Sequence, residues 1–70
     1  MEIIIYKVDG ILDADSASRA YDRLISMSGV ESVYVDRADR SIKVTLEGAT
    51  PGEVRAAIEK LGYIIESESH

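Results

Sequence analysis

Val8-Asp9-Gly10-Ile11-Leu12-Asp13-Ala14-Asp15-Ser16 joins an apolar strand to an amphipathic helix, and its reading decides the fold. Upstream of it, Glu2 to Val8 is rich in β-branched residues and predicts a first strand. Period-two alternation puts Ile4, Tyr6 and Val8 on one face and Ile3, Ile5 and Lys7 on the other. Downstream, Ala17, Ala20, Leu24 and Met27 recur at helical spacing, so a helix is expected from about Ala14 to Met27 with one apolar stripe. Asp13 stands where a helix N-cap belongs, because its carboxylate can accept a free backbone N–H of the first turn. Gly29 is placed to supply the left-handed stop.

Beyond Gly29 the pattern switches back to strands. Val30 to Asp36 carries Val33 and Val35 inward and Tyr34 outward. Arg37-Ala38-Asp39-Arg40 reads as a polar turn, and Ser41 to Leu46 turns Ile42, Val44 and Leu46 in and Lys43 and Thr45 out. Thr50-Pro51-Gly52-Glu53 is a helix start with a cap, a proline at the first helical position and a capping-box glutamate. Val54, Ala57, Ile58 and Leu61 form that helix's stripe, and Gly62 ends it. Tyr63-Ile64-Ile65 opens a fourth strand, with the polar Glu66 to His70 expected to fray.

The order is strand, helix, strand, strand, helix, strand. Helices with a single apolar stripe must cover one face of a sheet. Right-handed crossovers then favour an α+β class, the ferredoxin-like βαββαβ sandwich: a four-stranded antiparallel sheet with strands 1 and 3 central and two helices on one face. Its 70 residues make one domain, with a core over about 2–66 and a tail at 67–70.

This layout resembles the heavy-metal-associated domain, the small copper and zinc carrier module. The matching positions are Gly10, Ile11 in the family's methionine slot, Leu24, Gly29-Val30, Val33 with Val35, Ile42 with Val44, Ala57-Ile58 and Gly62-Tyr63. The family's loop reads Gly-Met-x-Cys-x-x-Cys. Here the two cysteine positions hold Asp13 and Ser16, and the chain contains no cysteine. The resemblance therefore implies the fold and a link to metal transport, with a degenerate metal site.

The chemistry of that replacement excludes the family's cargo. Cu(I) prefers thiolate or thioether sulfur. Asp13 offers a hard carboxylate and Ser16 a neutral hydroxyl. The only sulfurs belong to Met1 and Met27, and Met27 is expected at the far end of the first helix. No tight Cu(I) site, and no resident cofactor, is expected. Asp9, Asp13 and Asp15 form an alternative set for a hard divalent cation. Zinc usually takes four ligands including His or Cys, and calcium six to eight oxygens, so three loop carboxylates imply weak binding at best. The simpler reading is that Asp13 caps the helix and Asp15 sits in its favourable first turn.

Other classes are excluded more quickly. A net charge of −5 argues against nucleic acid, which needs a basic face. No signal-peptide pattern and no apolar run near ~18 residues is present, so no membrane insertion is expected. The lack of cysteine fits a reducing compartment, and a cytoplasmic location is expected. His70 is the lone histidine and is terminal, so no nucleophile–base pair presents itself and the protein reads as no enzyme.

These observations favour a non-catalytic protein-interaction or regulatory module with a protein partner or self-association. The alternatives are an atypical metal-binding protein using Asp13 and nearby carboxylates, and an ACT-like small-molecule regulatory domain with the same element order. The expected interaction surface is the open face of the sheet, where Ile3, Ile5 and Ile64 would cluster with Tyr34 across from them. The loop and first-helix face, with Asp13, Asp15, Arg19, Tyr21, Asp22 and Arg23, is a second, less specific surface.

Overall fold

The structure, a computed structural model, describes residues 1–10 and 13–70. The elements are β1 (Glu2–Asp9), α1 (Ala14–Ile25), β2 (Val30–Asp36), β3 (Ser41–Leu46), α2 (Pro51–Lys60) and β4 (Ile64–Ser69). They form one sheet of four strands in the order β2-β3-β1-β4, and every pairing is antiparallel. This is the ferredoxin-like sandwich, with the central pair as expected. Among the described residues no helix is long and apolar enough to cross a membrane.

The alternation of β1 and β3 builds the core. Ile4, Tyr6, Ile42 and Val44 are completely buried, and so are Ala20 and Leu24 of α1 and Val54 and Ile58 of α2. Each fully buried aliphatic side chain contributes ~1.5–3 kcal/mol from the area it removes from water. The α2 start forms as its sequence dictates. Thr50 Oγ1 accepts from the Glu53 N–H at 3.3 Å, and the Glu53 carboxylate accepts from the Thr50 N–H at 3.2 Å. The end of α2 also follows the pattern: Gly62 adopts φ +100° and its N–H bonds to the Glu59 carbonyl.

The first helix is shorter than its apolar spacing suggests. It stops at Ile25 with Ser26 as C-cap, and the Met27 N–H turns back to the Leu24 carbonyl at 3.1 Å. Met27 lies past the helix and is only partly buried. Gly29, at φ +86°, does not cap α1 but turns the chain into β2. Its carbonyl accepts the N–H groups of Glu47 at 2.7 Å and Ala49 at 3.2 Å. The backbone thus folds tightly against the β3–α2 connection, which only a residue without a side chain permits.

The tail expected to fray from Glu66 is instead the rest of β4, paired with β1 through Ile5↔Ser69. Backbone ladder bonds to a central strand hold it, whatever the polarity of its side chains. A bulge sets its facing. Lys7 pairs with Ser67 but Val8 with Ile65, so Glu66 is the extra residue. A matching bulge leaves Glu31 of β2 unpaired between Val30↔Leu46 and Ser32↔Thr45.

The β4 bulge turns Glu68 toward the helices, opposite Tyr6. There Glu68 meets Arg55 of α2 at 3.3 Å and a ring nitrogen of His70 at 2.6 Å. The other ring nitrogen of His70 lies 3.2 Å from Glu2. Hydrogen bonds that the ring donates to these two carboxylates, Glu68 first, raise the His70 pKa above its ordinary value. The Tyr6 hydroxyl donates to the Pro51 carbonyl at 3.0 Å. Burial first, and then the Glu68 charge, push that hydroxyl up to about 12. Because the folded value is raised, the stabilisation it gives is complete below the ordinary tyrosine value of ~10 and fades as pH rises toward about 12. In an ultraviolet titration of phenolate, a step near pH 12 is expected, and it should vanish in Tyr6→Phe. That variant should also lose about 1 kcal/mol, for one hydrogen bond removed. An unchanged high-pH step would show that the late group is not Tyr6.

Candidate functional site

The site read from the sequence lies at the end of the sheet where β1 runs out, below the N-terminus of α1. Asp13 has extended backbone angles and its Oδ1 accepts the Ser16 N–H at 2.8 Å, closing the first turn. The Ser16 backbone N–H, followed by its hydroxyl, holds the Asp13 carboxyl below the usual carboxylate range, and Arg37 adds to this. As the folded value is lowered, this stabilisation is present at neutral pH and is lost as pH falls through the folded value. Asp13 and Ser16 are therefore partners of each other.

The remaining loop carboxylates are engaged separately. Asp15 pairs with Arg19 at 2.9 Å, one turn along α1. Asp9 lies 3.9 Å from Arg40, across the end of the sheet. Among the described residues no group of three His, Cys, Asp or Glu side chains converges as metal ligands. The sequence reading of Ile11 as the apolar residue in the methionine slot lies outside the described residues.

Gly10 has φ +139°, and a Cβ there would lie 3.2 Å from the Tyr63 ring. Tyr63 thus packs against Gly10, and it is only 9% exposed. Beside it, Ser16, Arg19, Leu61 and Tyr63 line a cavity of about 120 Å³. A second, more open hollow of about 290 Å³ is bounded by Lys7, Val8, Ala38, Asp39, Arg40 and Glu66. Its charges are opposed, with Lys7 bonded to Asp39 at 3.3 Å. The sequence did not single out Tyr63 as a packing partner of Gly10; the glycine itself was the available signal.

The open face of the sheet differs from expectation in one respect. Ile3 and Ile5 point off β1 and are 45% and 41% exposed, and Tyr34 on β2 is 63% exposed. Ile64 is exposed too, but it pairs with Asp9, whereas Ile5 pairs with Ser69. Ile64 thus sits four β1 positions, roughly 13 Å, from Ile5 and does not join the other isoleucines. The antiparallel register from the loop end of β1 sends β4 the opposite way, and the Glu66 bulge offsets it further.

The sequence pattern of the heavy-metal-associated domain matches residues 5–63, most of the chain. The chain belongs to the heavy-metal-associated domain family. Solved structures of similar fold agree. The N-terminal domain of PacS from Synechocystis PCC6803 is 26% identical, with 94% of this chain and 96% of that one covered and a TM-score of 0.83. A copper form of CopA from Bacillus subtilis is 29% identical over 91% of this chain and 87% of that one, with a TM-score of 0.74. The CsoZ metallochaperone, 24% identical over 94% and 97%, shares the fold with a TM-score of 0.89. No curated protein sequence matches the chain. This heavy-metal-associated domain has no cysteine at all, so the donor set at its loop does not fit a soft metal cargo.

Proposed function

We propose that this heavy-metal-associated domain is a non-catalytic protein-docking module, linked to metal handling through its family, that does not itself carry a soft ion. The observation behind this reading is the hydrogen bond of 2.8 Å between Asp13 and the Ser16 N–H. The two positions that hold sulfur in the family are occupied here by oxygen donors committed to capping a helix. Catalysis has no support from the one histidine, which pairs with Glu2 and Glu68 at the opposite end of β1 from the loop. A Cu(I) competition assay against a chromophoric chelator tests the reading. The chelator is expected to keep its copper at equimolar protein. Stoichiometric transfer of Cu(I) to the chain would overturn the proposal.

A further inference from the structure

The open face of the sheet carries a charge that has no ion pair among the described residues. Lys43 stands on the central strand β3, with Ile5 of β1 directly opposite on one side and Tyr34 of β2 on the other. The neighbouring charged groups on this face are engaged with one another or with the backbone. Lys7 pairs with Asp39, Asp9 lies by Arg40, and Asp36 accepts the Asp39 N–H at 3.1 Å within the β2–β3 turn. Among the described residues Lys43 has no ion pair. Ile3 and Ile5 are close to half exposed beside it, and Tyr34 is mostly exposed. In a chain of net charge −5 this is an apolar patch around one cation, Lys43, that has no ion pair among the described residues.

We infer that the patch of Ile3, Ile5, Tyr34 and Lys43 is a docking surface for an acidic, apolar segment of a partner protein, one that places a carboxylate on Lys43 between apolar side chains. The inference rests on the docking role proposed above and names its surface and its partner's chemistry. Apolar contact with Ile3, Ile5 and the Tyr34 ring supplies the desolvated surround in which a charge-assisted bond to Lys43 gains strength. A second copy of this chain fits poorly. An isologous contact through this patch presents Ile3, Ile5, Tyr34 and Lys43 again, and none of these brings a carboxylate to Lys43. The patch thus selects for a different partner whose charge is opposite in sign.

The test uses the full chain and a random linear peptide library displayed on phage. Selected peptides are expected to carry Asp or Glu among apolar residues and, as synthetic peptides, to shift the amide signals of Ile3, Ile5, Tyr34 and Lys43. Lys43→Glu should weaken them about tenfold or more, as expected for losing a hydrogen bond to a charged group, while Lys43→Arg retains binding. Lys43 is exposed, so both variants should keep the wild-type circular dichroism spectrum. Peptides without acidic preference, or shifts confined to α1 and the loop, would sink the sheet-face assignment and leave the docking role standing. A library that yields no binder would overturn both, independently of the copper assay.

Discussion

The double variant Asp13→Cys/Ser16→Cys should capture Cu(I) from a chelator to which the unaltered chain leaves its copper. The two positions are three residues apart, at the cap and in the first turn of α1, and the Asp13 carboxylate already reaches the Ser16 backbone N–H at 2.8 Å. Thiols placed there gain from the helix N-terminus, which favours the thiolate that binds soft metal. Two thiolates in place of a carboxylate and a hydroxyl should raise affinity by at least about 10⁴-fold, or roughly 5.5 kcal/mol at 1.4 kcal/mol per factor of ten. Either single cysteine offers one sulfur and should fall far short of the pair. The substitution also removes the helix cap, so apo stability should drop and recover when metal binds. A folded double variant that remains blind to copper would show that the loop no longer has the geometry of its family.

The largest loss of stability is expected from Gly29→Ala. A Cβ at this position would lie 2.3 Å from the Ala49 nitrogen and 2.9 Å from both the Ala49 Cα and the Gly48 carbonyl carbon. Those are backbone atoms, so no side chain can swing away to relieve the clash. The left-handed φ of +86° adds roughly 1–2 kcal/mol of strain for a residue with a Cβ. The same glycine's carbonyl holds the Glu47 and Ala49 N–H groups, so displacing it also breaks the join between β2 and the β3–α2 turn. A total above ~3 kcal/mol is expected, against a whole-domain stability of roughly 4–10 kcal/mol at this length. Gly52→Ala is the control. Nothing lies within 4 Å of its Cβ position, and in the first turn of α2 alanine should be neutral or stabilising by up to ~1 kcal/mol. Urea midpoints for the two variants measure the contrast. A Gly29→Ala protein as stable as the Gly52→Ala protein would refute this account of the join.

Element order and strand facing were legible because they rest on short-range periodicity. Ile4, Tyr6 and Val8 alternate with Ile3, Ile5 and Lys7, and burial follows that alternation residue by residue. The Thr50-Pro51-Gly52-Glu53 cap was legible for the same reason, since all of its partners lie within one turn. Asp13 as a cap and the absence of sulfur at positions 13 and 16 were likewise readable, and they define the loop's chemistry. What escaped depends on register between distant strands. The bulge at Glu66 leaves no trace in local pattern, yet it decides that Glu68 meets Arg55 and Tyr6 and where Ile64 lies relative to Ile5. The end of α1 was misplaced because Met27 continues the helical spacing, while the Met27 N–H tightens back onto Leu24. The lack of an ion pair at Lys43 among the described residues was hidden too, because it depends on which neighbours the pairing of three strands provides.

The two bulges have a further consequence. β2 and β4 are the outer strands of the sheet, and each is interrupted by an unpaired glutamate, Glu31 and Glu66. A foreign strand seeking to extend the sheet from either border meets a strand kinked by its bulge and a negative charge, a combination that discourages fibril growth. Of the exposed isoleucines, Ile3 and Ile5 stand on the interior strand β1, out of reach of such border-to-border stacking, and Ile64 lies at the start of β4. The interrupted borders thus work against lengthening of the sheet while Ile3 and Ile5 stay on display between them.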